Sequence, residues 1–145
     1  EKFDLTYEGK DNSKHRPVML HRAIYGSFER FLGILVEHYA GKFPLWINPN
    51  QVKILSVADR FNNYAKKIAK HLKENNIRAE IDGRTESIPK KVREAQIEQF
   101  SYILVVGEKE INDNTVTIRT RNNEVIGTQK IDDFINKVKE EIEKK

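Results

Sequence analysis

The chain has 145 residues, 38% hydrophobic and 33% charged, with 26 basic against 22 acidic residues, a net charge of +4 and no cysteine. That length suits one domain or a domain with an appended piece, and no apolar run reaches the roughly 18 residues that mark a membrane span. With no cysteine and no signal-peptide layout at the start, nothing argues for an oxidising compartment, and the modest positive excess fits an anionic partner such as nucleic acid.

Residues 1–16 are polar and irregular. Residues 17–25, PVMLHRAIY, read as a strand with Val18, Leu20, Arg22 and Ile24 on one face. Gly26 breaks it, Ser27 is placed to cap a helix, and Phe28, Phe31, Leu32, Leu35 and Tyr39 follow at helical spacing up to Gly41. Residues 42–51, with two prolines and no periodicity, read as a linker. Strands and helices then alternate. VKILSVA (52–58) is a buried strand, and a helix follows with Phe61, Tyr64, Ala65, Ile68 and Leu72 on one stripe. IRAEI (77–81) is a second strand, and a polar helix spans about 88–99. YILVV (102–106) is a third strand, TVTIRTR and EVIGT (115–121 and 124–128) form a hairpin about Asn122-Asn123, and a last helix carries Ile131, Phe134, Ile135, Val138 and Ile142. Strands separated by helices imply parallel neighbours. The expected fold is a three-layer α/β domain with a mixed, mostly parallel five-stranded sheet flanked by helices, preceded by a separate strand–helix piece.

The sequence contains no phosphate-binding glycine loop, no dinucleotide fingerprint and no nucleophile elbow. His15, His21, His38 and His71 do not form a metal pair by spacing, and a metal site needs three or four convergent ligands. Two regions stand out. In the first, the Gly-Ser turn leaves free N–H groups at a helix start, where anions bind, and Arg30 lies in the first turn, able to meet a phosphate in bidentate fashion; Glu29 and Arg30 also read as a plain solvated face, and His21 as a core or surface histidine. In the second, Arg84, Thr85, Glu86, Lys90, Lys91 and Arg93 follow the second strand, Glu108, Lys109 and Glu110 follow the third, and Arg119 and Arg121 alternate on the hairpin. Ligands of open α/β sheets bind beyond the carboxyl ends of strands. Mixed acidic and basic groups there suit single-stranded RNA, or are an ordinary charged surface.

The stretch HRAIYGSFERFLGILVEHYAGKFPLWINPNQV, with GSFERF at its centre, resembles the third signature motif of the class II aminoacyl-tRNA synthetases running into an anticodon-binding domain. The His-Arg-Ala-Ile before Gly-Ser, together with FDLTYEGKDNSKHRPVM, DGRTESIPKKVREAQIEQFSYILVVGEKE and TVTIRTR, makes the whole chain similar to the threonyl-tRNA synthetase family. The resemblance implies an ATP- and Mg²⁺-dependent ligase that activates threonine and transfers it to threonine tRNA, working as a homodimer in the cytoplasm or an organelle matrix. It implies that Arg30 holds the ATP γ-phosphate, that Ser27 lies near bound threonine, and that His21 is one of three zinc ligands. It implies that Glu110, Arg119 and Thr85 contact anticodon bases, with Lys91 as a phosphate contact. The other two zinc ligands and the first two motifs lie upstream in the family and are not in this chain. The expectation is therefore a C-terminal fragment: residues 1–41 the end of the catalytic domain, 42–51 a linker and 52–145 the anticodon-binding domain. Such a fragment keeps anticodon recognition without aminoacylation and holds neither zinc nor ATP. The alternative is a stand-alone synthetase-like RNA-binding or protein-interaction module.

Overall fold

The computed structural model describes residues 4–144, and the chain separates into two compact units, residues 1–35 and 36–145. In the first unit, β1 (Tyr7–Glu8) and β2 (Lys14–His15) pair antiparallel. Asp11 sits in the turn between them, where hydrogen bonds from Ser13 and then His15 hold its carboxyl down to about 2. The strand expected at 17–25 is not formed: 17–23 has no regular structure, and Val18 and Leu20 are 87% and 92% exposed. A strand satisfies its peptide groups only through a neighbour, and among the described residues no strand lies beside this segment. Helix α1 (Phe28–Tyr39) does form, with no fully buried residue. It starts where the sequence predicts, because Arg30 N–H donates to Ser27 Oγ at 3.2 Å, which satisfies one of the free donors of the first turn.

The second unit holds a five-stranded sheet in the order β4-β3-β5-β6-β7, built from β3 (Val52–Ser56), β4 (Ala79–Asp82), β5 (Tyr102–Val106), β6 (Thr115–Thr120) and β7 (Val125–Lys130). β3 runs parallel to β4 and β5, β6 is antiparallel to β5, and β7 is antiparallel to β6. Only β6 is reversed, so the expected mostly parallel sheet is present. Successive residues of each strand point to opposite faces. Val52, Ile54, Leu104, Val116 and Ile118 face α2 (Asn62–Glu74) and α5 (Ile131–Glu143) in the larger core. Leu55 and Ile103 face α3 (Ile88–Ile97) and Phe100 in the smaller one. Helices on both faces explain why β3 and β5 read as continuous apolar runs.

The crossovers end on a shared device. After α2, Asn76 has φ 59°; its N–H donates to Lys73 O and that of Ile77 to Leu72 O, both at 3.0 Å. After α3, Gln99 has φ 58°, its N–H donates to Gln96 O, and that of Phe100 to Ala95 O. Both are Schellman closures, and each drives the next apolar residue, Ile77 or Phe100, into the core (1% exposed in both cases). At the second closure glutamine, rather than the commoner glycine or asparagine, takes the left-handed position.

The stretch expected as a linker, 42–51, is built into the second unit. Leu45, Asn48 and Gln51 are buried. Asn48 Nδ2 donates to Ser101 Oγ at 2.7 Å and to Asn50 O at 2.9 Å. Gln51 Nε2 donates to Leu45 O, and its Oε1 accepts from Arg78 N–H, each at 2.8 Å. A helix absent from the sequence reading, α4 (Glu108–Asp113), follows β5.

At the carboxyl end of β4, buried Asp82 accepts from Arg84 N–H at 3.1 Å, Nε at 3.0 Å and Nη2 at 2.6 Å. These Arg84 hydrogen bonds, partly offset by burial, hold its carboxyl below the ordinary 3.8. The stabilisation is complete above that ordinary value and is lost as pH falls below it. In urea unfolding, Asp82→Asn is expected to be less stable than the parent by about 1–3 kcal/mol at pH 7, with the difference shrinking as the pH is taken below about 4.

Candidate nucleic-acid interface

The three layers leave one margin of the sheet open. α3 lies over β3 and β5. On that same face β6 presents Thr115, Thr117 and Arg119, alternating with the core residues Val116 and Ile118. Opposite them in register stand Lys130, Thr128 and Val125 of β7, all exposed. The hydroxyls of Thr117 and Thr128 lie 3.1 Å apart.

Glu110 closes one end of this margin. It is the third residue of α4, and its Oε2 accepts from Gly107 N–H at 3.0 Å while Oε1 accepts from Thr117 Oγ1 at 2.8 Å. The first bond caps the helix start, and the second ties α4 to β6. Gly107 permits it, since a Cβ there would stand only 3.2 Å from Glu110 Oε2 and from Val57 Cγ2. Burial, and then the Glu110 carboxylate, push the Tyr64 phenol above its ordinary 10.0. Glu110 is thus an anchored carboxylate at the sheet surface, with lone pairs left for a further donor.

Arg119 closes the other end. Its Nη1 donates to Asn123 Oδ1 at 3.1 Å, and its Nε is enclosed with no hydrogen-bond partner among the described residues. The register of β6 on β7 shifts between Ile118 and Arg119, leaving Ile126 of β7 as the extra, unpaired residue opposite them. The guanidinium borders a pocket of about 210 Å³ between the sheet and α3, whose apolar wall is Ile88, Pro89 and Val92 and whose amides are Gln96 and Asn123. Buried donors are nearly always satisfied, so an unbonded Nε–H beside a pocket with an apolar wall marks a place for a ligand acceptor. The sequence reading treats Asn123 only as a turn former and omits Gln96, Thr117 and Thr128; the alternation in TVTIRT is the signal that places Thr117 beside Arg119.

Thr85 sits apart, on the exposed loop after β4, where its Oγ1 donates to the Asp59 carboxylate at 3.3 Å. Lys91 is corrected. It is 1% exposed, and its Nζ donates to Ser56 O at 2.9 Å and Asp82 O at 3.3 Å. It clamps the ends of β3 and β4 from beneath α3 and cannot reach a phosphate. Two of the three other basic groups of that segment are paired: Arg84 binds Asp82 and Glu94, and Lys90 binds Glu86 at 2.7 Å, while Arg93 is exposed with no ion pair among the described residues.

In the first unit His21 and Arg30 are exposed, and the Ser27 hydroxyl is engaged in capping α1. Among the described residues no three His, Cys, Asp or Glu side chains converge on a point, so the donor set offered with His21 does not fit a zinc ion, which needs three or more ligands. Arg30 is bonded through its backbone N–H to the Ser27 cap.

A three-layer α/β unit with a polar sheet margin, one anchored carboxylate and one under-bonded guanidinium is a binding module. The chain belongs to the anticodon binding domain family, which it matches over residues 51–141. It is 55% identical to the threonine–tRNA ligase of Clostridioides difficile (strain 630) over 97% of this chain and 22% of that protein, and 50% identical to that of Aquifex aeolicus over 100% and 23%. It therefore spans less than a quarter of the length of these curated relatives. Among solved structures it is similar to the RNA binding domain of threonyl-tRNA synthetase from Cryptosporidium parvum, with a TM-score of 0.74 and 36% identity over 96% of this chain and 35% of that one. Prolyl-tRNA synthetase of the same organism shares the fold, with a TM-score of 0.62 at 20% identity over 70% of this chain and 22% of that one. The family resemblance read from the motifs is borne out.

Lys91→Met keeps most of the packing volume and removes the donors to Ser56 O and Asp82 O. It is expected to lower the unfolding free energy by about 1.5–3 kcal/mol, measured in urea.

Proposed function

We propose that this chain is the anticodon-reading part of a threonine–tRNA ligase, with residues 1–41 the end of a preceding catalytic domain and 52–145 the reading domain. Support comes first from the Arg119 Nε–H, enclosed and unbonded beside the pocket at the open sheet margin. An unstacked base supplies the acceptor that this donor lacks and stacks on an apolar wall such as Ile88–Pro89–Val92. Glu110, 2.8 Å from Thr117 Oγ1, accepts from an exocyclic amine or imide N–H of a neighbouring base. Thr85 is a more remote contact on the same side of the domain as the strand carboxyl ends. The matches at 50–55% identity cover 97–100% of this chain, so they take in the motif-bearing residues 17–41, which favours a piece of a ligase over a stand-alone accessory module.

In the longer protein Arg30 would bind the ATP phosphates, with Ser27 near threonine, His21 one of the zinc ligands, a second subunit completing a homodimer, and the cytoplasm or an organelle matrix as its location. No helix among the described residues is long and apolar enough to cross a membrane.

The test is titration of the chain with the anticodon stem-loop of threonine tRNA against stem-loops of other anticodons. The chain prefers the threonine sequence, and Arg119→Ala weakens binding by about 10–100-fold with the preference relaxed, the scale of one good base contact. Glu110→Ala costs a similar factor together with a lower melting temperature, because its cap is lost. Equal affinity for all stem-loops, or threonine-dependent pyrophosphate exchange by the chain alone, would overturn the reading.

A further inference from the structure

The far edge of the sheet presents a second surface, independent of the RNA reading. β4 pairs with β3 alone. Val52 N–H donates to Arg78 O at 3.1 Å, with Val52 opposite Ala79 and Ile54 opposite Ile81 in the parallel register. In a parallel ladder this turns the peptide groups of Arg78, Glu80 and Asp82 inward to β3, and those of Ala79 and Ile81 outward to the open edge.

Two hollows of about 500 and 480 Å³ follow this edge. Ile77, Ala79 and Phe100 contribute apolar surface to the first, and Ala69 and Ile81 to the second. Lys73 borders both, and Lys66 and Lys70 join it along the second. The three lysines recur at i, i+4 and i+7 on α2, so they line one flank of the helix. All are exposed. Lys70 has Glu74 only at 3.8 Å, while Lys66 and Lys73 have no ion-pair partner among the described residues. The other carboxylate at this edge, Glu80, is already taken by Lys53 at 3.0 Å.

An open strand edge accepts an added strand through its peptide groups, with side-chain pockets choosing which one. The lysine row decides the occupant. A second copy of this chain, docked edge to edge about a twofold axis, would bring two such rows together, and like charges set opposite each other repel. A nucleic acid would satisfy the lysines but has no use for paired N–H and C=O groups above an apolar floor. We infer that the β4 edge and the α2 lysine row form a docking groove for an extended acidic peptide segment, which adds as a sixth strand on Ala79 and Ile81 and offers alternate Asp or Glu side chains to Lys66, Lys70 and Lys73.

The experiment titrates the whole chain with a short peptide alternating Glu and Val, followed by fluorescence anisotropy and amide hydrogen exchange. Binding is expected, with the Ala79 and Ile81 amides gaining protection. The triple variant Lys66→Glu, Lys70→Glu, Lys73→Glu loses about tenfold or more in affinity, and a peptide N-methylated on its edge-facing amides does not bind. All three substitutions are on exposed side chains, and Arg119→Ala leaves peptide affinity unchanged, so failure here is distinct from failure of the stem-loop test. Four results overturn the inference: no binding of the Glu-Val peptide; equal binding of a Lys-Val peptide; full binding of the N-methylated one; or tighter binding of oligouridylate at the lysine row, which would make the groove a phosphate surface.

Discussion

Two parallel strands that end side by side inside a protein leave carbonyl groups with no water to satisfy them, and Lys91 answers that constraint here. Its ammonium, sealed beneath α3, donates to Ser56 O and Asp82 O. A buried charge is tolerated only where hydrogen bonds replace its hydration, so the side chain helps fix α3 over β3 and β5. The open margin over β6 and β7 follows from that placement. Asp82 and Arg84 complete the arrangement at the strand end, and Glu110 and Arg119 flank the half of the sheet that α3 leaves open.

The charge of the chain is distributed by the same logic. The cluster after β4 looks like a basic patch in the sequence, yet Arg84, Lys90 and Lys91 are all turned to internal partners. Arg93 of the same cluster is exposed with no ion-pair partner among the described residues, and other such cations lie at the pocket rim with Arg119 and along α2. The Arg119 margin and the α2 flank differ in backbone character, one a hairpin with a register shift and the other an open strand edge.

Much of the second unit is legible in the sequence because its elements are strongly periodic. Ala65, Ile68 and Leu72 on α2, and Phe134, Ile135 and Val138 on α5, are buried on the stripes their spacing predicts. The readings that fail do so where pairing or solvation, rather than local pattern, decides. PVMLHRAIY has strand composition but no partner strand. Residues 42–51 have linker composition, yet Asn48 donates to Gln99 O and Ser101 Oγ and Gln51 accepts from Arg78 N–H, contacts far away in sequence. Glu108–Asp113 is too short for a periodic signal and depends on the Glu110 cap. Of the candidate site, Glu110 and Arg119 were visible through the family resemblance; the role of Lys91 was not, because a lysine in a polar helix carries no mark of burial.

The two Schellman closures have a consequence for how the chain becomes ordered. Each joins the end of a helix to the start of the next strand through one apolar residue, Ile77 or Phe100, that touches its own helix before it meets the sheet. Closing so short a loop costs little chain entropy, so α2–β4 and α3–β5 are units that can gain structure before distant strands find each other. Parallel sheets are otherwise slow to assemble, since their pairings span whole crossovers. A left-handed residue at 76 and at 99 thus does for folding kinetics what the hairpin turn at 121–124 does for β6 and β7: it makes a long-range architecture start from local decisions.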